Sequence, residues 1–140
     1  MSNDRFYGWE TATVTDEQGR TVRDYYDMLC TLWCAETCAP RLREQWCPEN
    51  KTLGQCSITA FLVQDHFGGK VLGIPRANGN YHCFNAVGDC VFDLTSEQFG
   101  DEVLDYTDCQ EQSREVHFAK KEKRLRYEYL KAGLEALLQS

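Results

Sequence analysis

Three side chains in this sequence have the types and order that nucleophilic chemistry uses: Cys56, His82 and Asp93. The thiolate is the reactive form of cysteine, and the unpaired N–H groups and dipole of a helix N-terminus favour it. Cys56 falls at such a start. Thr52 and Gln55 match the Ser/Thr-x-x-Glu/Gln pattern of a capping box, and an apolar run follows from Cys56 to Phe67 until Gly68-Gly69 stops it. Ile58, Ala60, Phe61, Leu62, Val63 and Phe67 put apolar residues on most sides of this helix, so it should be buried. An activated thiol needs a base, and the base needs a third group to fix its orientation and tautomer.

His82 and Asp93 meet that need if Gly88-Asp89 is a two-residue hairpin loop, for which Gly-X favours a type II′ turn. Val87 then faces Cys90, Ala86 faces Val91, Asn85 faces Phe92 and Phe84 faces Asp93. Alternation places His82, Phe84 and Asp93 on one face, with His82 and Asp93 as diagonal neighbours about 7–8 Å apart at most. An imidazole donating its Nδ1–H to the carboxylate fits that span. A slip of one residue would separate them. The plain alternative is a core histidine satisfied by a structural aspartate. Gln55 has two candidate roles: an oxyanion-hole donor through its side-chain amide, beside the Cys56 N–H, or a helix cap. His66 lies nearly three turns along the Cys56 helix, out of reach of the thiol. His117 stands beside a basic run with no evident carboxylate partner.

These residues must be held by a small set of elements. Residues 1–20 are polar and read as a loosely held arm. A helix is expected from about Val22 to Cys38, with Tyr25, Leu29, Leu32 and Trp33 on its apolar face, ended or kinked by Pro40. A short second helix can run to Trp46, and Cys47-Pro48-Glu49-Asn50 reads as a loop. After the Cys56 helix come strands at 70–74, 81–87 and 90–94, with a turn at Pro75–Asn80 containing Asn78-Gly79. Residues 100–112 are acidic and irregular. A final helix is expected over 113–138, with Leu125, Leu130, Leu134, Leu137 and Leu138 facing inward. The fold class is α+β: a buried helix bearing Cys56 packed on a small antiparallel sheet, flanked by N- and C-terminal helices, in one domain over 1–140.

Composition narrows the function classes. The 140 residues carry a net charge of −7, which argues against a general nucleic-acid binder. The basic run Lys120, Lys121, Lys123, Arg124 and Arg126 reads as a solvated helix face beside Glu122 and Glu128. No apolar stretch reaches the roughly 20 residues of a membrane span, and residues 1–10 hold no secretory h-region. A cytoplasmic location with free thiols is expected for the eight cysteines. Cys30, Cys34 and Cys38, spaced by four, would form one stripe on a helix. Core packing, a metal site and a disulfide are the three readings of that stripe, although the spacing is not that of zinc knuckles. No cofactor is expected, and oligomeric state is not legible.

Several motifs together resemble the YunG-like family of small bacterial proteins: Gly54-Gln55-Cys56-Ser57-Ile58-Thr59-Ala60, Val63-Gln64-Asp65-His66-Phe67-Gly68-Gly69, Tyr81-His82-Cys83-Phe84-Asn85 and Asp93-Leu94-Thr95-Ser96-Glu97-Gln98-Phe99. Trp33, Thr37-Cys38, Trp46 and Pro48-Glu49-Asn50 add to the pattern. The resemblance covers roughly residues 25–100. It implies a compact papain-like fold, in which Cys56 is the nucleophile, His82 the base and Asp93 the third member. Cys83 departs from it, standing where an aromatic residue is expected. The residues around Cys56 are not the local signature of papain and cathepsins, so peptidase activity is not implied. The expected activity is a thiol-dependent hydrolase or acyltransferase on an amide or thioester of an unidentified small molecule or peptide. The alternative is a non-catalytic binding module on the same fold.

Overall fold

The computed structural model describes residues 6–77 and 79–139. Met1 to Arg5 of the expected arm, and Asn78 of the expected turn, lie outside the described residues. The chain is α+β: helices lie around a four-stranded antiparallel sheet of order β3-β2-β1-β4. The strands are β1 (Lys70–Pro75), β2 (Tyr81–Val87), β3 (Cys90–Phe92) and β4 (Gln110–Glu111), and the helices are α1 (Val22–Cys30), α2 (Cys56–Phe67), α3 (Arg114–Phe118) and α4 (Lys121–Leu138).

The β2–β3 register is the expected one: Asn85 faces Phe92, Ala86 faces Val91 and Val87 faces Cys90. Gly88 has φ +58° and Asp89 has no positive φ, as a type II′ turn demands. The ladder stops short of Phe84. Asp93 instead forms an antiparallel bridge with Tyr7, donating its N–H to the Tyr7 carbonyl at 2.9 Å. That bridge corrects the expectation of a loose arm. Phe6 and Ala12 are buried, and a second bridge joins Thr15 to Thr21.

Helix α2 packs on the face of β2 that carries Cys83 and Asn85. Ser57 through Val63 are all buried, which explains its lack of a polar face. Each fully buried Leu, Ile or Phe contributes about 1.5–3 kcal/mol. Polar bonds fix its rotation: Asn85 Nδ2 donates to the Ala60 carbonyl at 2.9 Å, Trp33 Nε1 to Thr59 Oγ1 at 2.9 Å, and Arg114 to the Phe61 carbonyl at 3.0 Å.

Two helices are shorter than expected. α1 ends at Cys30, and Leu32 and Trp33 both donate their N–H to the Leu29 carbonyl. Cys34 is fully extended and opens a 3₁₀ turn, so Cys30, Cys34 and Cys38 form no helical stripe. Among the described residues, no group of three or more His, Cys, Asp and Glu is placed to hold a metal ion. The segment up to Trp46 is a 3₁₀ helix over Pro40–Gln45, and Pro48–Asn50 is another short 3₁₀ turn. The C-terminal helix is broken at Ala119-Lys120 into α3 and α4. The inner face of α4 is Arg126, Tyr127, Leu130 and Leu134, whereas Leu125 and Leu137 are exposed. Arg126 can lie inside because its guanidinium is satisfied by Glu122 and by the Thr37 carbonyl. Among the described residues no helix is long and apolar enough to cross a membrane.

Candidate active site

Cys56 is the first residue of α2. The expected capping box is not there: Gln55 occupies the N-cap without a side-chain cap bond, and the Thr52 hydroxyl is buried with no partner among the described residues. The Gln55 N–H is instead taken by the Thr52 carbonyl in a turn. Gly54 makes that turn with φ +72°, and a Cβ there would stand 2.6 Å from Cys38 Sγ. The first N–H groups of α2 are thus left without a side-chain acceptor, beside a half-buried thiol. A capping box does form at α1, between Thr21 and Asp24.

His82 and Asp93 are 3% and 1% exposed, and His82 Nε2 meets Asp93 Oδ2 at 2.5 Å. The expected pair is therefore formed, but through the other ring nitrogen: Nε2, not Nδ1, faces the carboxylate. The ring is set by Phe99, which packs edge-on with centroids 4.7 Å apart. Three further donors hold Asp93. The Tyr106 hydroxyl reaches Oδ2 at 2.8 Å, and the Thr95 N–H and hydroxyl reach Oδ1 at 3.2 and 3.3 Å. Tyr106 stacks on Tyr7 with centroids 3.8 Å apart, so the bridge that holds Asp93 also braces its donor.

The three groups bias one another's protonation. Burial opposes a charged imidazole at His82, but the Asp93 carboxylate and the Cys56 sulfur outweigh it and push its pKa up to about 10. Cys56 is held well below the ordinary thiol value, first by a hydrogen bond from the Cys83 thiol, against burial, and then by the bond and charge of His82. Cys83 is pushed correspondingly up and keeps its proton. Alternation does turn Cys83 away from His82, as expected, but toward the face from which α2 brings Cys56. The two thiols meet there, a consequence sequence reasoning missed. The Cys56 sulfur also lies 3.9 Å from the Tyr81 carbonyl, at the start of β2.

Gln55 is fully buried, with its Nε2 donating to the Cys34 carbonyl at 3.1 Å. The structure turns its amide inward and leaves it out of the cavity beside Cys56. That cavity, of about 720 Å³, is lined by Cys56, Ser57, Tyr81 and His82 together with side chains of the 39–42, 98–99 and 112–126 segments. His117 is among them, with Nδ1 2.9 Å from Lys123 Nζ and Nε2 2.9 Å from Gln112 Oε1. Burial, then the Lys123 charge, hold His117 down at about 4, so it is neutral at pH 7. His66 packs against Tyr25, away from the cavity.

Comparison with known proteins identifies the family of the chain. Over 55 residues the chain is 42% identical to "Uncharacterized protein YunG" of Bacillus subtilis (strain 168), covering 39% of this chain and 47% of that protein. The chain thus matches about half the length of this curated relative. No solved structure matches. The family model described as YunG protein matches residues 21–139, which include Cys56, His82 and Asp93, and the chain belongs to the YunG family.

Proposed function

We propose that this protein is a thiol-dependent hydrolase or acyltransferase acting on an amide or thioester. One observation carries the reading: a buried Asp93–His82 pair at 2.5 Å stands behind a thiol at the uncapped start of a helix, and that thiol opens into a cavity. The Cys56 thiolate attacks the acyl carbonyl. The oxyanion accepts hydrogen bonds from the free N–H groups of Cys56 and Ser57, where the helix dipole favours negative charge. With Nε2 held by Asp93, the Nδ1–H of His82 serves the sulfur and protonates the leaving amine or thiol. His82 then takes a proton from water or an acceptor, which releases the acyl group from Cys56. Asp93 holds the ring in this orientation. Gln55 fixes the turn before Cys56 and contributes through its backbone.

The order Cys, His, Asp, with the thiol on a helix packed against an antiparallel sheet, supports placing the family as a compact member of the papain-like superfamily. The test is an activated acyl ester, p-nitrophenyl acetate, followed by intact-protein and peptide mass spectrometry. An acetyl group on Cys56, formed in a burst and lost in Cys56→Ala, is expected. Hydrolysis that persists unchanged in Cys56→Ala would overturn the proposal and favour a binding module.

A further inference from the structure

The chain is acidic, with 22 Asp and Glu against 15 Lys and Arg, yet the cavity at Cys56 has the opposite balance. Arg41, Arg76, Lys120, Lys123 and Arg126 line it, and among the described residues Glu122 is its one carboxylate. Arg126 is paired with Glu122 at 2.8 Å and Arg76 with Glu102 at 3.1 Å. Arg41, Lys120 and Lys123 enter none of the ion pairs among the described residues. Lys123 is the most informative of the three. It is half-buried at the cavity wall, its ammonium donates to the neutral imidazole of His117 at 2.9 Å, and it feels the charge of the Cys56 thiolate. A partly desolvated cation that enters no ion pair is costly, and a bound anion would offset that cost.

The basic run of the sequence is therefore two things. Lys121 and Arg124 are exposed to solvent, and Arg124 pairs with Glu128 at 3.1 Å. Lys120, at the N-cap of α4, and Lys123 and Arg126, three residues apart on it, border the cavity. Leu42, Leu53 and Val116 line the same space and supply apolar surface beside the cations.

We propose that the substrate of Cys56 is an acyl compound that carries a negatively charged group, a carboxylate or a phosphate, bound by Lys123 with Lys120 and Arg41. This inference rests on the thiol chemistry proposed above and adds the substrate class. The anion seats at the α4 wall while the carbonyl reaches Cys56. A C–S bond then forms, the bond to the leaving group breaks, and the leaving group departs with the His82 proton.

The test compares two alkylating reagents that differ in charge. Iodoacetate carries a carboxylate next to the reacting carbon, and iodoacetamide is its neutral counterpart. Their rate ratio at Cys56, divided by the same ratio for free glutathione, reports the field of the pocket. Any change in thiolate fraction acts on both reagents alike and cancels. The expected ratio exceeds one by roughly threefold to tenfold at low ionic strength and falls toward one in 0.5 M NaCl, about fivefold above the 0.1 M at which the Debye length is about 10 Å. Lys123→Gln should lower it several-fold, and the exposed Lys120→Gln, which does not threaten folding, should lower it less. Inorganic phosphate and succinate, added as protectants against iodoacetamide, show which anion the pocket prefers. Fast iodoacetamide labelling with a normalised ratio at or below one, and no protection by either anion, would overturn this inference and leave the thiol chemistry standing. Labelling by both reagents at the rate of an ordinary thiol would overturn the thiol chemistry and this inference with it.

Discussion

The Cys56–His82 pair makes a signed prediction about stability against pH, and Cys56→Ala isolates it. In the folded protein His82 has its pKa raised to about 10, so its stabilisation is complete below the unfolded value of about 6.5 and is lost as pH rises toward 10. Cys56 has its pKa depressed, so its stabilisation is complete above the unfolded thiol value of about 8.5 and is lost as pH falls through the folded value. Between these two unfolded values the folded pair binds one proton, on His82. The unfolded chain also binds one, on Cys56. The two slopes cancel, and the pair leaves wild-type stability flat in this window.

Removing the thiol removes one of the two slopes. His82 keeps Asp93, so in Cys56→Ala the folded state binds a proton that the unfolded chain lacks. The limiting slope is about 1.4 kcal/mol per pH unit, and other titrating groups cancel in the difference between the two proteins. From pH 6.5 to 8 wild type should therefore gain about 2 kcal/mol relative to Cys56→Ala. Urea denaturation at four or five pH values across the window measures this. Parallel stability curves for the two proteins would refute the reasoning, because they would mean that Cys56 keeps its proton when folded.

Cys83→Ala removes the largest influence holding Cys56 down, so the pH profile of Cys56 alkylation should move to higher pH while remaining below that of an ordinary thiol. A profile that does not move would show that His82 alone sets the thiolate. Asp93→Asn removes the charge that outweighs burial at His82, so its pKa should fall from about 10, read by NMR of the ring protons. The same variant disturbs a buried acceptor of the Tyr106 and Thr95 donors and should cost about 1–3 kcal/mol of stability in denaturant. A His82 titration unchanged by that substitution would deny Asp93 its orienting role.

Much of the architecture that positions the site was legible. The end of α2 was set by Gly68-Gly69 and its extent by the apolar run from Cys56 to Phe67, and the β2–β3 register by the two-residue Gly88-Asp89 turn, which leaves no freedom to slip. That register placed Asp93 beside His82. The ring orientation was not legible, because Phe99 and Tyr106 set it, and both come from the irregular segment after β3. Alternation correctly turned Cys83 away from His82, but strand period says nothing about which helix end arrives on that face. The Thr52–Gln55 motif misled because a glycine with positive φ stands between the two residues and bends them into a turn. The basic run could not be divided from its sequence: which lysines meet the cavity depends on the break at Ala119-Lys120, and no proline or glycine marks it.

The most direct test of the account is the rate of Cys56 alkylation by iodoacetamide across pH, resolved by peptide mass spectrometry, in wild type and in His82→Ala. Wild type should label fast well below the ordinary thiol pKa of about 8.5, and the variant should lose that reactivity and follow an ordinary thiol. Slow labelling of wild type with an ordinary profile, unchanged by His82→Ala, would contradict the account and leave Cys56, His82 and Asp93 as parts of the architecture alone.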